Sequence, residues 1–123
     1  MVGSPPGGSR GAPHATIEAA VRGRVVMVRM AGEVDAACVA EAVPTIAMLD
    51  TLAGCRPVLV DTHDVTFMDS SGVALLERVV RLCRAAGVPV ALLDPAVVVT
   101  EVLGLLGLDR WFPVVRSADR ASA

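Results

Sequence analysis

The order of apolar and polar positions along the chain first predicts two strands. Residues 15–20 and 24–30 are largely apolar and bounded by turn formers, and a short turn around Arg22 and Gly23 joins them. The second run is apolar at nearly every position, which is typical of a strand in the interior of a sheet.

A helix is predicted next, because apolar residues recur every three or four places between Val39 and Ala53. Asp35 is placed to cap its first turn, and Gly54 is placed to end it. Pro44 lies inside this segment, where a proline removes one intrahelical hydrogen bond. Either the helix bends at Pro44 or its first turn is a separate element.

Strands and helices alternate in the second half of the chain. Residues 57–61 form a short apolar run between turn formers, the pattern of a strand that is buried on both faces. A second helix is predicted over residues 71–86, on which Glu77 and Arg81 form a favourable i, i+4 pair. The remaining elements are a buried strand over residues 88–93, a third helix over residues 96–106, a turn at residues 107–110 and an apolar closing segment over residues 111–115. Together they predict an α/β protein with a mixed sheet.

Composition and charge narrow the class of protein. The 123 residues suffice for one domain, and 54% of them are hydrophobic, so a core of Val, Leu, Ala and Ile is expected. No apolar run approaches the roughly 20 residues of a membrane span.

Residues 1–13 are rich in Gly, Pro and Ser and lack the apolar region of a secretory signal, which predicts a disordered tail. The net charge of −2 implies no general attraction to nucleic acid, and the cytoplasm is the expected compartment.

The cysteines and histidines predict neither a disulfide framework nor a metal site. Cys38, Cys55 and Cys83 are odd in number, widely spaced and without a CxxC pair, so reduced and mostly buried thiols are expected. His14 lies in the predicted tail and His63 in a predicted loop, with no metal-ligand spacing between them. No cofactor is expected.

A polar Asp-Ser-Ser-Gly sequence, residues 69–72, precedes the second predicted helix. Asp69, Ser70 and Ser71 carry oxygen atoms that can accept hydrogen bonds from the unpaired N–H groups of a first helical turn, so a helix cap is the simplest interpretation. The alternative is a regulatory site. The start of a helix favours negative charge, and a phosphoryl group there brings about −1.5 to −2 charges beside Asp69.

Four blocks of sequence, in order and at compatible distances, resemble the STAS domain, and in particular the small stand-alone anti-sigma factor antagonists, also called anti-anti-sigma factors. They are GEVD at residues 32–35, PVLVDTHDVTFMDSSGVALL at residues 57–76, VPVALLDPAV at residues 88–97 and GLDRWFPV at residues 107–114. The most specific piece is the D-x-x-x-V-x-F-M-D-S-S-G motif that ends at Gly72. The resemblance places a STAS domain at residues 14–116, between the tail at residues 1–13 and a C-terminal tail at residues 117–123.

This resemblance implies a mixed sheet of four or five strands, with about three to four helices packed mainly on one face. It also implies partner switching, in which the unphosphorylated protein binds an anti-sigma factor that is also a serine kinase, and the sigma factor is released. The kinase phosphorylates the first Ser of the motif, here Ser70, and a PP2C-type phosphatase reverses the step. In this scheme Asp69 flanks the acceptor, and Ser71 and Gly72 lead the loop into the helix.

Several other residues have both a structural and a functional interpretation. Glu33 and Asp35 can offer an acidic contact to the partner, although a helix cap is a sufficient role for Asp35. Trp111 and Phe112 are expected to belong to the core. A solvated helix face is expected for three arginines: Arg78, Arg81 and Arg84.

The third predicted helix departs from the family pattern. It has Val98-Val99-Thr100 where relatives commonly carry a basic residue or two. A helix this apolar either buries more surface or exposes an apolar patch. Self-association through this helix is left open by the sequence.

A non-enzymatic regulatory protein is therefore the first hypothesis. A serine hydrolase needs a base to activate its hydroxyl, and Ser70 has neither a GxSxG context nor a histidine that is sure to contact it. Nucleotide binding is a second hypothesis, although the chain has no GxxxxGKS/T and no GxGxxG sequence. A third keeps the fold and makes the chain a STAS subunit of a membrane lipid transporter or a component of a stress-signalling scaffold.

Overall fold

The computed structural model describes residues 15–54 and 56–118, in which five strands form one mixed sheet and four helices pack against it. The strands are β1 (Ala15–Arg22), β2 (Val25–Val34), β3 (Val58–Met68), β4 (Val90–Leu93) and β5 (Val114–Val115). The helices are α1 (Ala36–Glu41), α2 (Val43–Ala53), α3 (Ser70–Ala86) and α4 (Val97–Leu105), and a turn of 3-10 helix covers Asp109–Trp111. The predicted α/β fold is confirmed.

The strands lie in the order β1-β2-β3-β4-β5. β1 and β2 form an antiparallel hairpin, whereas β3, β4 and β5 run parallel to β2. Gly23 starts the two-residue hairpin loop with a φ of +63°, a conformation that glycine adopts without strain. Parallel neighbours need a long crossover, and helices provide it after β2, β3 and β4.

One face of the sheet carries the core. Along β2, Val26, Val28 and Met30 are fully buried, whereas Met27 is half-buried and Arg29 is exposed. This alternation is typical of a sheet that is covered by helices on one face. The apolar side of α3 packs into the same core with Val73, Leu75, Leu76, Val79, Val80 and Cys83.

Two strands are longer than their apolar runs. β2 continues to Val34, and β3 continues through His63 to Met68. The prediction of His63 as a loop residue is therefore wrong. The neighbouring strand holds this polar segment in the ladder, and two register shifts accommodate the extra residues of β3.

Pro44 divides the first predicted helix into α1 and α2, so the second of the two alternatives is correct. The proline lies in the first turn of α2. At that position its missing N–H removes no intrahelical hydrogen bond, and its fixed φ suits the start of a helix.

α3 agrees with the predicted helix to within one residue, since it begins at Ser70 rather than Ser71. Gly87 ends it in the left-handed conformation, with a φ of +72°, and its N–H donates to the carbonyl of Arg84 at 3.1 Å. The predicted pair of Glu77 and Arg81 is present on its surface, with 3.8 Å between the charged atoms.

α4 buries one side and exposes the other. Val99 and Leu103 belong to the core, whereas Val97, Leu105 and Leu106 are 71%, 86% and 52% exposed. Of the two outcomes considered for this helix, an exposed apolar patch is the one observed.

The closing segment packs partly as predicted. Phe112 is buried, and Trp111 is half-buried beneath the guanidinium of Arg84, whose Cζ atom is 4.9 Å from the ring centre. Arg84 is thus a cation–π partner as well as part of a helix surface. The backbone N–H of Ser117 donates to Asp94 Oδ1 at 2.7 Å.

Cys38 and Cys83 are buried and free, as predicted. Cys55 lies outside the described residues. So do the predicted tail at residues 1–13 and residues 119–123 of the predicted C-terminal tail.

Candidate functional site

Two aspartates follow neighbouring parallel strands at the same edge of the sheet. Val34 at the end of β2 pairs with Met68 at the end of β3, and Asp35 and Asp69 come directly after them. The backbone N–H of Asp69 donates to the carbonyl of Val34 at 3.4 Å. Each aspartate then starts a helix, so the first turns of α1 and α3 lie side by side at this edge.

Asp69 caps α3 with its side chain. Its Oδ1 atom accepts hydrogen bonds from the backbone N–H groups of Ser71 at 2.9 Å and Gly72 at 3.3 Å. The extended backbone of Asp69 is typical of an N-cap residue. A negative charge thus already occupies the N-terminal end of the helix, where the helix dipole favours it.

Ser70 is the first residue of α3, and its side chain is exposed. Within the described residues no hydrogen bond engages its hydroxyl group, whereas the neighbouring Ser71 is half-buried. Of the two hydroxyl groups, that of Ser70 is therefore the more accessible to another protein.

Asp35 caps α1 in the same way, since its Oδ1 atom accepts from the N–H of Cys38 at 3.0 Å. Its predicted role as a helix cap is confirmed. Glu33, two residues earlier, is exposed at the end of β2, in register with Phe67 of β3. The fold thus brings Glu33, Asp35 and Asp69 to the edge of the sheet that carries Ser70, and makes this edge acidic.

Gly72 permits the close approach of α3 to the end of β2. A Cβ atom at this position would lie 2.7 Å from Cγ of Met68, 3.0 Å from Cγ1 of Val34 and 3.1 Å from the carbonyl oxygen of Val34. One of these atoms is backbone, so the neighbours cannot simply rotate away. Gly72 is the third residue of α3, so the structure places it within the helix, and this close packing favours a glycine there.

Phe67 is exposed at this edge and was not predicted as a site residue. Its exposed fraction is 46%, whereas Val65, two residues earlier, is buried. In a regular strand the two side chains would share a face. The register shift between Gly32 and Glu33 of β2, opposite Val65 and Phe67, breaks that alternation, and the sequence carries no signal of it.

The surroundings of the site are polar but show no metal centre. Arg29 and Asp64 form an exposed ion pair at 2.6 Å, and Nδ1 of His63 lies 3.3 Å from the backbone oxygen of Asp94. Among residues 15–54 and 56–118, no three or more His, Cys, Asp or Glu side chains are grouped so that they could hold a metal ion.

The family follows from a comparison with models of known protein families, in which the STAS domain matches residues 16–121. The chain belongs to the STAS domain family. The match covers the sheet apart from Ala15, all four helices and the Asp69–Gly72 segment. None of the curated proteins compared with this STAS chain matches it.

Solved structures of anti-sigma factor antagonists share the fold. SpoIIAA in its unphosphorylated form superposes with a TM-score of 0.66 at 24% identity, covering 87% of this chain and 92% of its own. The Bacillus cell fate determinant SpoIIAA in the phosphorylated form superposes with a TM-score of 0.66 at 23% identity, covering 87% of this chain and 96% of its own. An anti-sigma factor antagonist from Mycobacterium paratuberculosis superposes with a TM-score of 0.64 at 22% identity, covering 89% of this chain and 93% of its own. At these identities the likeness establishes the STAS fold.

In the described part of this STAS chain, every helix is too short or too polar to cross a membrane. The contribution of Glu33, Asp35, Asp69, Ser70, Ser71 and Gly72 to partner binding stays a prediction.

Proposed function

We propose that this STAS protein is an anti-sigma factor antagonist that acts in the cytoplasm and catalyses no reaction itself. When Ser70 is unphosphorylated, the protein binds an anti-sigma factor that is also a serine kinase, and the sigma factor is released. The kinase then phosphorylates Ser70 and the complex dissociates, and a PP2C-type phosphatase restores the binding form. The observation that carries this proposal is the exposed side chain of Ser70 at the first position of α3, on an acidic edge of the sheet.

Accessibility supports Ser70 as the phosphate acceptor. Its side chain projects from the surface at the start of a helix, and Asp69 rather than Ser70 holds the first-turn N–H groups. Adding a phosphoryl group to Ser70 therefore removes no hydrogen bond that caps the helix. Structures of SpoIIAA in both phosphorylated and unphosphorylated forms, which share this fold, are consistent with such a modification.

Electrostatics supports dissociation on phosphorylation. The phosphoryl group brings about −1.5 to −2 charges at neutral pH. It arrives on an edge that already carries the carboxylates of Glu33, Asp35 and Asp69, and a partner surface that fits a neutral hydroxyl offers it no compensating charge. Desolvation of this charge and its repulsion from the antagonist's own carboxylates weaken binding without any refolding of the antagonist.

The same edge supplies an apolar anchor for the partner. Phe67 is 46% exposed and lies three residues before Ser70, next to Glu33 in the ladder. Aromatic side chains near the centre of an interface contribute a large part of many binding energies. We therefore include Phe67 with the predicted partner-binding residues.

The proposal is tested by affinity capture from native cytosol, with wild type, Ser70→Ala and Ser70→Glu as baits and mass spectrometry to identify the partners. A kinase-type anti-sigma factor is expected with wild type and Ser70→Ala, and we expect the Ser70→Glu variant to bind it at least about tenfold more weakly, a loss of about 1.4 kcal/mol. With ATP, the captured kinase is expected to phosphorylate wild type once and Ser70→Ala not at all.

Ala85→Glu is the matched control, because it adds the same charge to the exposed surface of the same helix, about 22 Å from Ser70. Its binding is expected to equal that of wild type. Capture of one transporter or scaffold by all variants, or phosphorylation of Ser71 instead of Ser70, would overturn the proposal.

A further inference from the structure

β1 forms one edge of the described sheet, so the outer side of its backbone has no neighbouring strand among residues 15–54 and 56–118. Arg22 pairs with Val25 across the two-residue loop, so these two residues exchange both backbone hydrogen bonds. Along a strand of an antiparallel ladder, the backbone N–H and C=O groups of successive residues point alternately toward and away from the neighbouring strand. The backbone groups of Ala19 and Val21 therefore point away from β2. Ile17 points the same way, and its carbonyl accepts a 3.5 Å hydrogen bond from Oγ1 of Thr45 in α2.

Among the residues that the structure describes, α2 covers this edge at Ile17, and no element pairs with it at Ala19 and Val21. Exposed edge strands are usually protected from pairing with other strands by charged side chains or proline. β1 has no proline within its bounds, and Val21 is 42% exposed. The two charged residues of β1, Glu18 and Arg22, have opposite signs.

These two charges lie symmetrically about Ala20, two residues to either side. Within residues 15–54 and 56–118 neither forms an ion pair. Glu18 is opposite Arg29 in the ladder, but Arg29 is engaged by Asp64 at 2.6 Å.

We propose that β1 pairs antiparallel with β1 of a second copy of this chain, in a two-fold symmetric register centred on Ala20. This register puts Glu18 of each copy opposite Arg22 of the other, and Ala19 of each opposite Val21 of the other. The open backbone groups of Ala19 and Val21 then form the intermolecular hydrogen bonds. The two five-stranded sheets become one continuous ten-stranded sheet in the dimer.

Two neighbouring registers fit less well. A register centred on Ala19 pairs Ile17 with Val21, but the carbonyl of Ile17 is already engaged by Thr45. A register centred on Val21 pairs Glu18 with Arg24, which lies in the hairpin loop outside β1. The register centred on Ala20 combines open backbone groups with opposite charges within the strand.

The dimer leaves both switch sites free. Ala15, at the start of β1, pairs with Gly32 near the Ser70 edge, and the second copy runs in the opposite direction. The two Ala15 residues are separated by roughly 35 Å along the strands, and the two switch edges lie beyond them on opposite sides of the dimer. Dimerisation and binding of an anti-sigma factor can be tested independently for this reason.

Sedimentation velocity over a concentration series tests the proposal. The series extends to about 0.5 mM, because small interfaces of this kind are weak. Wild type is expected to show a dimer whose fraction rises with concentration. Glu18→Arg and Arg22→Glu are each expected to weaken it at least about tenfold, because both ion pairs become like-charge pairs. The double variant Glu18→Arg/Arg22→Glu reverses both partners together and is expected to restore the wild-type dimer.

Two controls separate this interface from others. Glu101→Arg reverses an exposed charge on α4 and is expected to leave the dimer unchanged, and Leu105→Arg disrupts the apolar patch of α4. Three results would overturn the proposal. The wild type could stay monomeric, or the double variant could fail to dimerise. The third is a dimer that Leu105→Arg abolishes and Glu18→Arg leaves intact. Slower amide hydrogen exchange of Ala19 and Val21 with rising concentration is the expected independent readout.

Discussion

Asp69 affects the site in two ways, through its oxygen atoms and through its charge. The oxygen Oδ1 holds the N–H groups of Ser71 and Gly72, which fixes where α3 begins and leaves the Ser70 hydroxyl on the surface. The charge adds to that of Glu33 and Asp35 and makes the position unfavourable for a phosphate in an interface. Asparagine keeps the accepting oxygen and removes the charge, so substitution separates the two effects.

Asp69→Ala is expected to lower the free energy of unfolding by about 1 kcal/mol, because the first turn of α3 loses its cap. Asp69→Asn is expected to lower the free energy of unfolding by only a few tenths of that amount, since asparagine is nearly as good an N-cap as aspartate. Urea denaturation of the three proteins measures this. Equal losses for the two variants would mean that the charge, rather than the accepting oxygen, stabilises the helix start.

At the scale of elements, the unit formed by β3, Asp69 and α3 is positioned by packing as well as by the helix cap. The first turn of α3 lies against the end of β2. A Cβ atom at Gly72 would be 2.7 Å from Cγ of Met68 and 3.1 Å from the carbonyl oxygen of Val34, so a glycine fits there without displacing its neighbours. The glycine therefore determines how closely Ser70 approaches the acidic end of β2.

Gly72→Ala is expected to lower the free energy of unfolding by about 1–3 kcal/mol, because the added methyl group overpacks this contact. Gly104→Ala provides the opposite case. Nothing lies within 4 Å of a Cβ atom at Gly104 in α4, so the alanine is expected to stabilise the protein by about 0.5–1 kcal/mol through helix propensity. Urea denaturation of both variants is the measurement, and effects of the same sign would refute the packing argument.

At the scale of the whole molecule, folding keeps two thiols out of water. Burial raises the pKa of Cys83 above the ordinary thiol value of 9.0. Burial also raises the pKa of Cys38, with smaller contributions from the carboxylates of Asp35 and Glu41. The folded state therefore favours the protonated thiols more strongly than the unfolded state does.

This difference predicts a loss of stability in alkali. Below the ordinary thiol pKa of 9.0 both states are protonated and the stabilisation is fully present. As the pH rises through 9.0 toward the raised values of the folded state, only the unfolded thiols ionise, and the free energy of unfolding falls. Chemical denaturation between about pH 7 and pH 10 is expected to show a smaller fall for Cys38→Ala/Cys83→Ala than for wild type. Equal falls would assign the pH dependence to other groups.

The sequence by itself determined the features that depend on neighbouring residues. A helix cap needs an acceptor within three positions of the N–H groups it satisfies, so Asp35, Asp69 and the start of α3 were predictable. The end of α3 at Gly87 was predictable for a similar reason, because a glycine directly after a helix readily adopts the left-handed conformation that caps it. The sheet type followed from the order of the elements, since a helix between two strands gives a parallel pair.

Only the tertiary structure decided the features that depend on which strand lies beside which. The polar half of β3 is a strand because β2 pairs with it, so its own composition did not predict that His63 lies in the sheet. A register shift between β2 and β3 exposes Phe67. Interstrand hydrogen bonds join residues that are far apart in sequence, and no local pattern of side chains records their register.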